Sequence, residues 1–85
     1  MKHSRPDYAR IQDPAGLIPD DEPVFLIRGR DRAAPYAVRA YAHFAEQAGA
    51  SGEFCDQARQ AAKMIEDWQE ANPLRVKVPD APRPK

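Results

Sequence analysis

The sequence predicts a small, mainly helical α+β domain, with an antiparallel αα-hairpin preceded by a short strand and followed by another, in the order β-α-α-β. Three observations predict it. Apolar residues recur at three- and four-residue steps over two stretches separated only by Gly49-Ala50-Ser51. A continuous apolar run, Val24-Phe25-Leu26-Ile27, precedes the first stretch, and the alternating run Leu74-Arg75-Val76-Lys77-Val78 follows the second. Proline marks the outer limits: Pro6, Pro14, Pro19 and Pro23 punctuate the entry, and Pro73, Pro79, Pro82 and Pro84 the exit.

In chain order, residues 1–23 read as a proline-rich arm. Asp13-Pro14-Ala15-Gly16 and Pro19-Asp20-Asp21 within it have turn chemistry. The strand is expected over 24–28, its unbroken apolar character indicating burial on both faces. The first helix is expected over 32–48. Asp31 suits its N-cap, Pro35 tolerates the first turn, and Gly49 suits the left-handed position after its end. Its apolar face reads Ala34, Ala37, Tyr41, Phe44 and Ala48. The second helix is expected over 52–71, capped by Ser51, with Glu53 favourable against its dipole and a stripe of Phe54, Ala58, Ala61, Ile65 and Trp68. So short a link predicts that the two stripes face each other. Residues 74–78 alternate as a half-exposed strand does, and 79–85 form a polar tail. The domain proper is thus residues 24–78.

Composition bounds the function. A chain of 85 residues buries only about 60% of its unfolded surface, and small folds usually need a staple. Cys55 is the only cysteine, so no internal disulfide is available; His3 and His43 stand far apart, so a metal is not expected. Oligomerisation is the expected supplement, because two strands alone leave open edges. A lone thiol, no apolar run after the N-terminal charges and no long apolar stretch together predict a soluble cytoplasmic protein without membrane partners.

Formal net charge is zero, which argues against general nucleic-acid binding. The charges are nonetheless segregated. Residues 24–50 carry four cations against two carboxylates and 73–85 four against one, whereas 1–23 carry three against five and 51–72 two against five.

The basic excess concentrates at Arg28-Gly29-Arg30-Asp31-Arg32, where the strand meets the helix. Alternation places Arg28 and Arg30 on one side. Gly29 permits close backbone approach, and a helix start offers N–H donors to an anion. Arginine adds bidentate hydrogen bonds to phosphate or carboxylate. The candidate ligand-binding residues are therefore Arg28, Arg30, Arg32, Tyr36 and Arg39, with Tyr36 packing on a base. Tyr8 is a second aromatic candidate. Arg75 and Lys77 join the same surface if the last strand lies beside the first. Against this, Asp31 competes for the helix donors, and the arginines have acidic residues of the second helix or the arm as alternative partners. Asp20-Asp21-Glu22 lacks the spacing of a cation loop and reads as a solvated turn. Cys55 has no base and third group to make it a nucleophile and reads as a packed small hydrophobe. His43 reads as a surface or interface histidine. No catalytic pair is found, so the chain is expected not to be an enzyme and to use no cofactor.

The segment Ile18-Pro19-Asp20-Asp21-Glu22-Pro23-Val24-Phe25-Leu26-Ile27-Arg28, with Asp31 and Met64-Ile65-Glu66-Asp67-Trp68-Gln69, resembles small uncharacterised accessory proteins of phages and prophages over most of residues 18–80. The resemblance implies a setting in which small proteins counter host defences, either by sequestering a nucleotide signal or by binding a host protein. It transfers no functional residue. The expectation is thus a phage-type anti-defence protein that sequesters a small anionic ligand such as a nucleotide immune signal. The alternative is an inhibitor or adaptor that binds a host defence protein through its strand edge, arms or acidic helix.

Overall fold

The structure, a computed structural model, describes residues 2–3 and 13–79. The described residues fall into two compact units, residues 2–3 with 13–27, and residues 28–79. Tyr8, the outer part of the arm and the tail from 80 lie outside the described residues.

In the first unit, β1 (Lys2–His3) pairs in parallel with β2 (Pro23–Val24), Lys2 opposite Pro23 and His3 opposite Val24. The Lys2 N–H donates to the Glu22 carbonyl at 2.6 Å. The expected turns form. The Gly16 N–H donates to the Asp13 carbonyl at 3.0 Å with Gly16 at φ 63°, and the Asp13 carboxylate accepts the Ile18 N–H at 2.9 Å. The Glu22 N–H closes the second turn onto the Pro19 carbonyl at 3.2 Å. The strand expected over 24–28 shrinks to Pro23–Val24, and Phe25 and Leu26 are exposed rather than buried on both faces. Among the described residues β1 offers a two-residue partner, and hydrophobicity alone cannot extend a strand beyond the residues that a neighbour pairs.

The second unit is the predicted helical hairpin: α1 (Ala34–Gln47), α2 (Gly52–Ala71) and a 3-10 turn at Pro73–Arg75. Asp31 acts upstream of the cap itself, which is Ala33. Its Oδ1 accepts the Ala33 N–H at 2.8 Å and its carbonyl the Ala34 N–H at 2.9 Å. α1 ends in a Schellman motif. The Gly49 N–H donates to the Glu46 carbonyl and the Ala50 N–H to the Ala45 carbonyl, with Gly49 at φ 98°. Ser51 then starts α2, its Oγ accepting the Phe54 N–H at 3.1 Å.

The strand expected over 74–78 is replaced by the 3-10 turn and a single parallel bridge, Asp31 to Lys77. Asn72 alone separates Pro73 from the end of α2, and the Arg75 N–H closes back on the Asn72 carbonyl at 2.9 Å. The chain thus keeps coiling before it extends.

The hairpin seam differs from the expected stripes. Ala34, Pro35 and Ala42 of α1 are buried, as are Cys55 and Ala62 of α2. Tyr41, Phe44 and Phe54 are exposed, although they stand in the expected stripes. Small side chains let the helices approach closely, and aromatic rings cannot occupy so tight a seam. Tyr41 and Phe54 meet only at its border, edge to face with centroids 6.0 Å apart.

Candidate anion-binding groove

The Arg28–Asp31 loop is held from two directions. From α2, the Gln69 side-chain amide donates to the Gly29 carbonyl at 2.9 Å and to the Asp31 carbonyl at 2.7 Å. From the segment after the 3-10 turn, the Lys77 N–H donates to the Arg30 carbonyl at 2.8 Å, and the Lys77 carbonyl accepts the Arg32 N–H at 2.9 Å. Carbonyls that would otherwise be left without donors are satisfied, so the loop has a defined course.

This anchoring forms a groove of about 670 Å³, lined by Arg28, Gly29 and Arg30 of the loop, Met64, Ile65 and Trp68 of α2, and Leu74, Arg75 and Lys77 beyond it. That volume lies within the roughly 300–1,000 Å³ of small-molecule sites. Its wall combines four cations with three aliphatic side chains and an indole, and no carboxylate lines it. Among the described residues, Arg28, Arg30 and Lys77 form no ion pair. Like charges gathered beside an apolar wall without counter-charges produce a positive potential. Arg75 is the constrained member of the set. Its guanidinium carbon lies 4.8 Å from the Trp68 ring centroid, and Nη1 donates to Asn72 Oδ1 at 3.3 Å. The Asn72 amide in turn donates to the Trp68 carbonyl at 2.8 Å.

Of the residues singled out by sequence, Arg28 and Arg30 line this groove together, and Arg75 and Lys77 are brought beside them by the Asp31–Lys77 bridge. Arg32 and Tyr36 are exposed and do not line it. Arg39 is engaged elsewhere, with Nη1 2.9 Å from Glu66 Oε2. That hydrogen bond raises the Arg39 pKa above its ordinary value and holds the Glu66 carboxyl below its own. At the start of α1 the N–H groups of Ala33 and Ala34 go to Asp31 and that of Arg32 to Lys77, and Pro35 has none, so the positive charge of the groove comes from side chains. Gly29 has no positive φ, and a Cβ added there would meet nothing within 4 Å, so the fold does not demand glycine at this position. Trp68 and Ile65 were not read as ligand contacts because helical periodicity assigned them to the core stripe, and Leu74 because alternation placed it in the expected strand; Met64 was given no place in a site. A tryptophan followed seven residues later by an arginine, across a proline break, was the available signal.

Cys55 is fully buried in the seam. His43 is exposed, with Nε2 3.2 Å from Gln47 Nε2 and its ring edge-on to Phe44. Among the described residues, no cluster of three or more His, Cys, Asp or Glu is arranged to hold a metal ion. No described helix is long and apolar enough to cross a membrane. No protein-family model, curated protein or solved structure matches the chain.

Proposed function

We propose that the protein is a non-enzymatic binder of a small anionic ligand with an apolar or aromatic body, a nucleotide signal being the class that fits best. In this reading it acts in the cytoplasm as a phage-type accessory protein that sequesters the ligand from a host defence. One observation carries the proposal: Arg28, Arg30, Arg75 and Lys77 converge with Trp68, Ile65 and Leu74 on one groove that no carboxylate lines. Phosphates would take the arginines, which form bidentate hydrogen bonds. The base or other apolar part would lie along the α2 wall, where desolvation favours it. Tyr36 and Arg32 would contribute only to a ligand extending beyond the groove, and Arg39 would have to leave Glu66 to take part.

Titration calorimetry against cyclic and ADP-ribose-type nucleotides tests the proposal. Expected are saturable heat with at least one of them, an affinity that falls as salt rises, and loss of at least tenfold in the Arg28→Ala/Arg30→Ala variant. Absence of heat with the whole panel, in a folded sample, overturns it. A host protein that co-purifies in stoichiometric amount and resists high salt would favour the adaptor reading instead.

A further inference from the structure

The two sides of the hairpin differ in charge. On one side ion pairs join the helices: Arg39 to Glu66, and Arg59 to Glu46. Lys63–Asp67 and Arg59–Asp56 extend that side along α2. At about 100° per residue, Tyr41 and Phe44 stand roughly 140–160° around α1 from Arg39 and Glu46. Phe54 and Ala61 are displaced comparably from Arg59 and Glu66 on α2. The Tyr41–Phe54 ring contact shows that these two flanks lie on the same side of the seam. Between the α1–α2 turn and Met64, that side presents Ala37, Tyr41 and Phe44 from α1 and Phe54, Gln57, Ala58 and Ala61 from α2, with no charged residue among them and Glu53 at the margin.

This face is exposed. Tyr41 is 57% accessible, Phe44 64%, Phe54 41% and Met64 72%. Side chains of this size bury about 150–250 Å² each, so the four leave on the order of 500 Å² uncovered. That lies in the upper part of the range found on monomers. Two such faces together reach about 1,000 Å², the lower bound for a specific interface.

We propose that a second copy of this chain covers the face, in a twofold pair built on Tyr41, Phe44 and Phe54. Self-association fits because an isologous contact sets a patch against itself. A patch without charge therefore buries neither an unpaired ion nor a like-charge clash. The zero net charge of the chain adds no long-range repulsion between copies. The pair also offsets the small core of the hairpin, whose fully buried residues are three alanines and a cysteine. The face shares Met64 with the lining of the cationic groove, whereas Tyr41, Phe44 and Phe54 lie outside that lining.

The test is the mass of the full chain in solution, by sedimentation or light scattering, from low micromolar to several hundred micromolar. Expected is twice the mass of one chain for the wild type and for Tyr36→Glu, which alters an exposed aromatic outside the face, and a single-chain mass for Phe44→Glu. The thermal midpoint of the wild type should rise with protein concentration, whereas that of Phe44→Glu should not. A monomeric wild type throughout, a Phe44→Glu variant that still pairs, or association only after another protein is added would each overturn the proposal. Should Phe44→Glu fail to fold, a soluble paramagnetic agent added to the wild type decides by nuclear magnetic resonance. Protected ring protons of Tyr41, Phe44 and Phe54 uphold the pair, and strong relaxation at all three overturns it.

Discussion

Gly49 and Gly29, the glycines that the sequence reading set at either end of α1, serve opposite purposes. Gly49 occupies φ 98° in the Schellman motif, where an L side chain is strained. Gly29 has no positive φ and open space around it. Gly49→Ala should therefore lower stability by about 1–2 kcal/mol. Gly29→Ala should leave it unchanged or raise it by about 0.4–1 kcal/mol through reduced unfolded-state entropy. Urea denaturation of the two variants checks both signs. Ser51 was legible for the same local reason as Gly49, since a hydroxyl three residues before an unpaired N–H needs nothing distant to act. Asp31 was legible only in part. Its turn-forming chemistry was correct, but it stands two positions before the N-cap it was expected to be, which is Ala33.

The helices illustrate the limits of periodicity. Both sets of apolar positions are real, yet the buried line is shifted around each helix toward alanine and cysteine. A repeat of apolar residues locates a broad face, whereas closest approach selects the smallest side chains within or beside it. Ala62 is fully buried. Ala62→Leu should force the helices apart and lower stability by about 1–3 kcal/mol. Ala40→Leu, on the exposed surface of α1, should stay within about 0.5 kcal/mol of the wild type. A thermal or urea melt of each variant, followed by circular dichroism at 222 nm, separates the two. The strands failed for a related reason. Alternation in 74–78 describes which residues suit a half-exposed strand, but a strand exists only where a neighbour shares its hydrogen bonds, and among the described residues one bridge, at Lys77, is what forms.

Across the helical unit as a whole, charge is sorted by position. Among the described residues, cations that form no ion pair gather at the groove, ion pairs line one side of the hairpin, and the other side is left apolar. The paired side makes a definite pH prediction. Arg39 holds the Glu66 carboxyl below its ordinary value of 4.5, by a hydrogen bond first and by charge second. A carboxyl with a depressed folded-state pKa stabilises the fold above its unfolded value, and that stabilisation is lost as pH falls through the folded value. Acidification below about pH 4.5 should thus lower the urea midpoint of the wild type more than that of Glu66→Gln. Both partners are exposed, so the difference should be small and should shrink further in high salt. Equal acid sensitivity of the two proteins would remove Glu66 from the account.

The chain's own chemistry determined its turns, its helix ends and the placing of two arginines at the loop before α1, because each of these depends on residues within a few positions of one another. Tertiary structure alone decided which cations share a groove, since Arg75 and Lys77 reach Arg28 and Arg30 only through a bridge spanning half the chain. It decided equally that Arg39 is drawn away to Glu66, and that the aromatic rings lie outside the seam. Distance along the chain carries no information about these pairings. They are set by how closely two helices can approach and by which carbonyls Gln69 and Lys77 are left to satisfy.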